Sequence, residues 1–208
     1  MGRAMSHRSN ISAAVVGATL LFAPKPLPNP QLSELDDVGF DRGDPSAPVL
    51  VVEFADFGCA ACAQFAVSTF RTIDEQLIGT GRVRWKLIPF ELGVFKRSSE
   101  ATVAAICAAQ QGHVWQFHDS LFANPRRWQS PRKPLSEFRD IAIHVGIDTA
   151  AFVQCYESDS ARDEAKRLRR TAREAGVRGT PTFFVGERKL EGAPPSDEFI
   201  SLLKKHPS

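Results

Sequence analysis

Two cysteines stand three apart in "EFADFGCAACAQF", residues 53–65, and an acid, Glu53, precedes the first by six positions. Cys59 and Cys62, one helical turn apart, can close a disulfide and reopen it by thiol–disulfide exchange, releasing or accepting two electrons. An inert structural disulfide and half of a zinc site have the same spacing. Zinc needs two further ligands, and the sequence has no second CxxC and no closely spaced histidine pair. The two remaining cysteines, Cys107 and Cys155, are too widely separated to form a recognisable metal pattern.

The elements around the pair decide which thiol reacts. Val49 to Phe54 is a near-continuous run of β-branched and aromatic residues, the pattern of a strand covered on both faces. From Cys59 the period changes: Cys62, Phe65, Ala66, Phe70, Ile73 and Leu77 fall on one face of a helix. Cys59 therefore sits at a strand-to-helix junction, against the unpaired N–H groups and positive end of that helix. Both lower the cost of a thiolate, the reactive form of cysteine. Glu53 lies in a strand too apolar for the surface. A buried carboxyl has a raised pKa and could take the proton of Cys62; an edge position or an ion pair accounts for it equally well. In "GTPTFFV", Pro181 opens a late strand. A cis Thr180–Pro181 bond would set an exposed backbone edge opposite Cys59, and a trans bond would be an ordinary strand start. Both fit.

Gly79 and Gly81 close the first helix, and "RVRWKLIP" follows with Val83, Trp85 and Leu87 alternating, which completes a βαβ unit. Residues 98–176 read as helical. Ser98 or Ser99 can cap a helix carrying Ala101, Ile106 and Cys107. A second apolar stretch holds Trp115, Phe117, His118, Leu121 and Phe122. "NPRRWQSPRKP" reads as a loop, Phe138 to Val145 as a helix ended by Gly146, and Asp148 as the cap of a helix carrying Cys155. In the last helix Ala161, Ala165, Leu168, Ala172 and Ala175 form one stripe, and its basic residues form solvated faces. His113 and His118 read as packing or capping residues, with a catalytic role as the alternative. "TPTFFVG" and "RKLEG" make a hairpin across Gly186 and Glu187, before a terminal helix, Asp197 to Lys205, that buries Phe199, Leu202 and Leu203. The class is α/β: a small mixed sheet interrupted by a helical insertion.

Arg3, His7 and Arg8 precede 13 uncharged residues, Ile11 to Ala23, the outline of a signal peptide or a short membrane anchor. "PKPLPNP" then reads as an extended spacer. Removing the first segment with Arg3 and Arg8 leaves 24 of the 26 basic residues against 24 acidic ones. A neutral body gives no electrostatic reason to expect nucleic-acid binding. In an exported chain an even number of cysteines favours disulfides.

"APVLVVEFADFGCAAC", "AICAAQQGHVWQFHDSLF" and "VRGTPTFFVG" together resemble the DsbA-type thiol oxidoreductases of the thioredoxin superfamily, over roughly residues 40 to 205. The resemblance implies a thioredoxin fold (40–97 and 177–208) with an all-helical insertion (98–176) between its βαβ and ββα halves, after a signal or anchor (1–23) and a linker (24–39). It makes Cys59 the attacking and Cys62 the resolving cysteine, Glu53 the proton relay, and Thr180 with cis-Pro181 the substrate-binding edge. It implies no cofactor. Its partners would be cysteine-containing exported proteins and a membrane partner that reoxidises the site. The compartment would be periplasmic or otherwise extracytoplasmic, with residues 11–23 as a possible anchor. Some members carry a second disulfide in the insertion, which implies a structural Cys107–Cys155 bond. Ala60-Ala61 departs from the Pro-His of the best-known members. Without that histidine the Cys59 thiolate should be less stabilised, which makes a milder oxidant. A reductase or isomerase, and a peptide-binding chaperone module without catalysis, are the alternatives.

Overall fold

The computed structural model describes Met1, residues 35–130 and residues 132–205. Apart from Met1, the signal or anchor segment (1–23) and residues 24–34 of the linker lie outside the described residues.

The apolar run before Cys59 forms β2 (Val49–Ala55), buried almost throughout, and it pairs in parallel with β3 (Val83–Pro89). β4 (Thr182–Val185) lies antiparallel to β2 on its other side, and β5 (Arg188–Glu191) pairs antiparallel with β4 across Gly186 and Glu187. A further strand, β1 (Phe40–Arg42), is absent from the sequence reading. It pairs antiparallel with β3, giving the order β1-β3-β2-β4-β5. Three residues, "FDR", carry no alternation that could reveal a strand. Long-range contacts hold it instead. The buried Lys86 ammonium donates to the Asp36 and Val38 carbonyls and to the Asp41 carboxylate, at 2.9, 3.1 and 2.8 Å. Leu35 and Val38, within the stretch read as spacer, are buried in the core.

Between β2 and β3 runs one long helix, α1 (60–78), α-helical over Ala60–Phe65 and wound more widely at Ala66–Phe70 and Asp74–Ile78. Its apolar face meets the sheet. Phe65 packs on Trp85 and Phe183, with centroids 6.0 and 4.6 Å apart, and all three meet Phe199 of α8 (Ser196–Lys205). In α8, Phe199 and Leu203 are buried, whereas Leu202 is only partly so.

The insertion comprises α2 (Ser98–Ala109), α3 (Val114–Ala123), α4 (Pro125–Gln129), α5 (Leu135–His144), α6 (Thr149–Glu157) and α7 (Asp159–Glu174). α2 is apolar nearly all round and is the centre of the block, buried from Ala101 to Ala108. α7 packs its alanine and leucine stripe inward and touches β3. Several of its basic residues pair with acids one turn away, as Lys166 does with Asp163 and Arg167 with Glu164. Asp148 caps α6 through the N–H groups of Ala150 and Ala151.

Two further expectations change. Neither Ser98 nor Ser99 caps α2: Arg97 takes the position before the helix at φ 62°, and the Ser98 hydroxyl donates to Asp56 instead. A carboxylate is the stronger acceptor, so the hydroxyl is drawn to it. The stretch read as a loop at 124–134 contains α4, with Pro125 at its first turn, where proline is tolerated. Burial of Trp128, whose ring N–H donates to the Leu121 carbonyl at 3.0 Å, fixes this short helix. Among the described residues no helix is long and apolar enough to cross a membrane.

Candidate active site

Cys59 is the residue before α1, in extended conformation (φ −78°, ψ 124°), so its side chain turns back over the helix N-terminus. Its sulfur accepts from the Cys62 N–H at 3.4 Å, and its thiol donates to the Thr180 carbonyl at 3.4 Å. Cys59 is 5% exposed and Cys62 0%. Both thiols are free. Hydrogen bonding from Cys62 draws the Cys59 thiol down to about 6, with smaller help from Thr180 and the Ala61 backbone, against the upward push of burial. Burial acts oppositely on Cys62, and the neighbouring Cys59 adds to it, so that thiol is pushed far above its ordinary value. One thiol is therefore the more readily ionised, and the other, fully enclosed, is held in its protonated form.

The Thr180–Pro181 bond is cis. The chain enters β4 just after it, which brings the Thr180 carbonyl to Cys59 across a separation of 121 residues. The Pro181 carbonyl accepts from Gly192 at 2.8 Å, which ties the cis bond to the end of β5.

Glu53 is 2% exposed, in register with Leu87 of β3 and Phe183 of β4. Trp85 and Phe183 both meet Phe65, so Glu53 belongs to the sheet face that α1 covers. Its carboxylate accepts from the Trp85 ring N–H at 3.0 Å. Burial pushes its pKa up to about 8, with the Trp85 bond pulling the other way. No hydrogen bond joins Glu53 to either sulfur among the described residues.

Cys107 of α2 and Cys155 of α6 are bonded, with Cα atoms 5.7 Å apart. This disulfide lies within the insertion and joins two of its helices. His118 is buried among the rings of Phe57, Phe70, Trp115 and Phe122, at 4.9 to 6.2 Å between centroids, and its Nδ1 lies 2.8 Å from Asp119. His113 precedes α3 without a capping bond from its side chain.

A low-pKa thiol at a helix N-terminus, an enclosed partner one turn on, and a cis-proline edge beside them are suited to disulfide exchange. A family model described as Thioredoxin matches residues 37–205. The chain belongs to the thioredoxin family. Over 156 residues it is 35% identical to the Na(+)/H(+) antiporter NhaA 3 of Salinispora tropica, a match covering 73% of this chain and 22% of that protein. The chain thus spans less than a quarter of that relative's length. It is 22% identical over 178 residues to disulfide bond formation protein D of Bacillus subtilis, 78% of this chain and 74% of the relative. The crystal structure of alpha-DsbA1 of Wolbachia pipientis matches it with a TM-score of 0.70 at 25% identity, covering 79% of this chain and 88% of that one. Within the family its fold is of the DsbA type, with the helical block between the two halves of the thioredoxin unit.

Two residues of this candidate site escape the sequence reading. Trp85 reads only as an inward strand residue, yet it is the hydrogen-bond partner of Glu53. Asp56 is a second acid in the same apolar run and is almost wholly buried. Its type and place, an aspartate just past a strand and two residues before Gly58, are those of an Asx turn, which was the available signal. Burial raises its pKa, and hydrogen bonds from Ser98, Leu92 and Gly58 oppose that rise.

Proposed function

We propose that this protein is an exported thiol–disulfide oxidoreductase that introduces disulfides into cysteine-containing exported proteins. The observation that carries the reading is the contrast between the two thiols, Cys59 drawn down to about 6 and Cys62 pushed upward. A substrate thiolate attacks the Cys59 sulfur of the oxidised pair, forming a mixed disulfide as the Cys59–Cys62 bond breaks. The electron pair goes to Cys62, which takes up a proton. A second substrate thiolate then attacks the substrate sulfur bound to Cys59, and Cys59 leaves as a thiolate. The substrate has lost two electrons, and the cysteine pair holds them as a dithiol. A stable Cys59 thiolate favours that product, hence oxidation of substrate.

Glu53, with a pKa of about 8, is mostly protonated at neutral pH and supplies the proton to Cys62. With no direct hydrogen bond between them, a water carries it. Thr180 and Pro181 present the backbone edge along which a substrate strand lies beside Cys59. Cys107–Cys155 is structural. A membrane partner reoxidises the dithiol, and residues 1–23 direct the chain out of the cytoplasm or hold it at the membrane. The name of the Bacillus subtilis relative, disulfide bond formation protein D, agrees with the oxidising direction.

The deciding measurement is the reduction potential of the Cys59–Cys62 pair in glutathione buffers. The expected value lies between about −120 mV, that of a strong oxidant, and about −200 mV; one near about −270 mV would instead mark a reductant. Cys59→Ser should abolish oxidation of a reduced substrate. No oxidation by the unmodified protein, together with peptide binding that survives Cys59→Ser, would favour a peptide-binding module.

A further inference from the structure

Asp56 joins two parts of the molecule that the exchange chemistry alone does not require to be joined. One is the turn that presents Cys59: Asp56 Oδ1 accepts from the Gly58 N–H at 2.8 Å, and the Asp56 carbonyl accepts from the Cys59 N–H at 3.0 Å. The other is the segment 90–98 that leads from β3 into α2. Asp56 Oδ2 accepts from the Leu92 N–H at 2.8 Å, and the Ser98 hydroxyl donates to Oδ1. Three donors from two chain segments converge on one buried carboxylate. Two oxygens are needed to receive them all, which an alanine cannot offer and an asparagine offers only in half.

The segment so held forms a wall beside the site. A Cβ added to Gly58 would lie 2.4 Å from the Phe95 Cβ, so Phe95 rests directly on the turn that carries Cys59. Val94, at the tip, is 74% exposed. Gly58, Val94, Phe95 and Lys96 line an open groove of about 430 Å³ with Gln129 and Ser130, and the Gln129 amide donates to the Gly58 carbonyl at 3.2 Å. The groove borders the cysteine turn on the side of segment 90–98.

We propose that Asp56 is a positioning residue that locks segment 90–98 to the Cys59 turn, so that the groove wall and the reactive sulfur are presented to a polypeptide substrate as one rigid unit. The inference rests on Cys59 being the exchanging thiol. A small thiol needs to reach only the sulfur. An extended polypeptide must also lie against the surface flanking it, and a wall displaced by even an ångström costs it contacts that the small thiol never makes.

The test compares two probes on the full chain: reduced glutathione, and a reduced unstructured peptide with a single cysteine. Second-order rate constants for attack on the oxidised pair are measured for the unmodified protein, Asp56→Asn, Asp56→Ala, Ser98→Ala and the Asp56→Ala/Ser98→Ala double variant. The ratio of peptide to glutathione rate constants should fall about tenfold in Asp56→Ala. It should fall by a smaller factor in Asp56→Asn and Ser98→Ala. Ser98→Ala should add nothing in the Asp56→Ala background, because the two groups act as a unit. A ratio unchanged within about twofold, whether both rates drop together or neither moves, would overturn the proposal; Ser98→Ala decides the matter if Asp56→Ala does not fold. If the unmodified protein reacts with neither probe, the exchange reading itself fails and takes this one with it.

Discussion

Glu53 and Cys59 are displaced in opposite senses, and their effects on stability are opposite too. Glu53 is raised from 4.5 to about 8 and Cys59 lowered from 9.0 to about 6. A raised carboxyl favours the folded chain below its unfolded value; that contribution is lost as the pH climbs toward 8, because unfolding then lets the group ionise. A lowered thiol stabilises the reduced fold fully above its unfolded value and loses the effect as the pH falls through about 6. In the oxidised protein Cys59 does not titrate, so Glu53 can be read alone. Urea unfolding of oxidised protein should show stability falling between pH 4.5 and 8 relative to Glu53→Gln, by at most about 5 kcal/mol. A difference that is flat with pH would mean that Glu53 is ionised throughout. Trp85→Phe should push Glu53 further up, since the one bond that pulls it down is removed.

Among the elements, β1 is tied to β3 by the Lys86 side chain as well as by its own ladder. Lys86 projects from the central sheet, fully buried, with its three N–H donors taken by Asp36, Val38 and Asp41. Lys86→Met keeps the length of the side chain and removes all three bonds. Arg84 also pairs with Asp41, at 2.9 Å, so that carboxylate is not stranded and the loss stays near the lower end for a broken buried pair, about 3 kcal/mol. Hydrogen exchange of segment 35–42 should rise selectively. If exchange rises across the whole sheet instead, β1 is integral to the fold rather than clasped onto it. The elements with strong periodicity were legible in the sequence: β2, α1, β3, α7 and the β4–β5 hairpin all follow their hydrophobic patterns. β1 and α4 are three and five residues long, too short to display a period, and each is defined by a partner distant in sequence or by one buried ring.

At the scale of the whole molecule, the insertion carries Gln129 to the Cys59 turn and is itself cross-linked. Its cross-link joins residues separated by 48 positions, and closing such a loop is worth about 4 kcal/mol in the chain-entropy account. The Cys107→Ala/Cys155→Ala variant should melt roughly 8–16 °C lower by calorimetry. A drop of less than about 3 °C would show that helix packing already confines the unfolded insertion.

The sequence by itself placed the pair: a strand run, a change of period at Cys59 and a second thiol one turn later are local facts, and local facts determine which cysteine faces a helix N-terminus. It also carried enough pattern to place the helical block between the two halves of the sheet. Only the tertiary structure decided what surrounds that thiol. The Thr180 carbonyl reaches Cys59 from 121 residues away, Trp85 meets Glu53 from 32, and Leu92 and Ser98 meet Asp56 from 36 and 42. Such partners are chosen by how the sheet and the insertion close on one another, and residue periodicity carries no information about that closure.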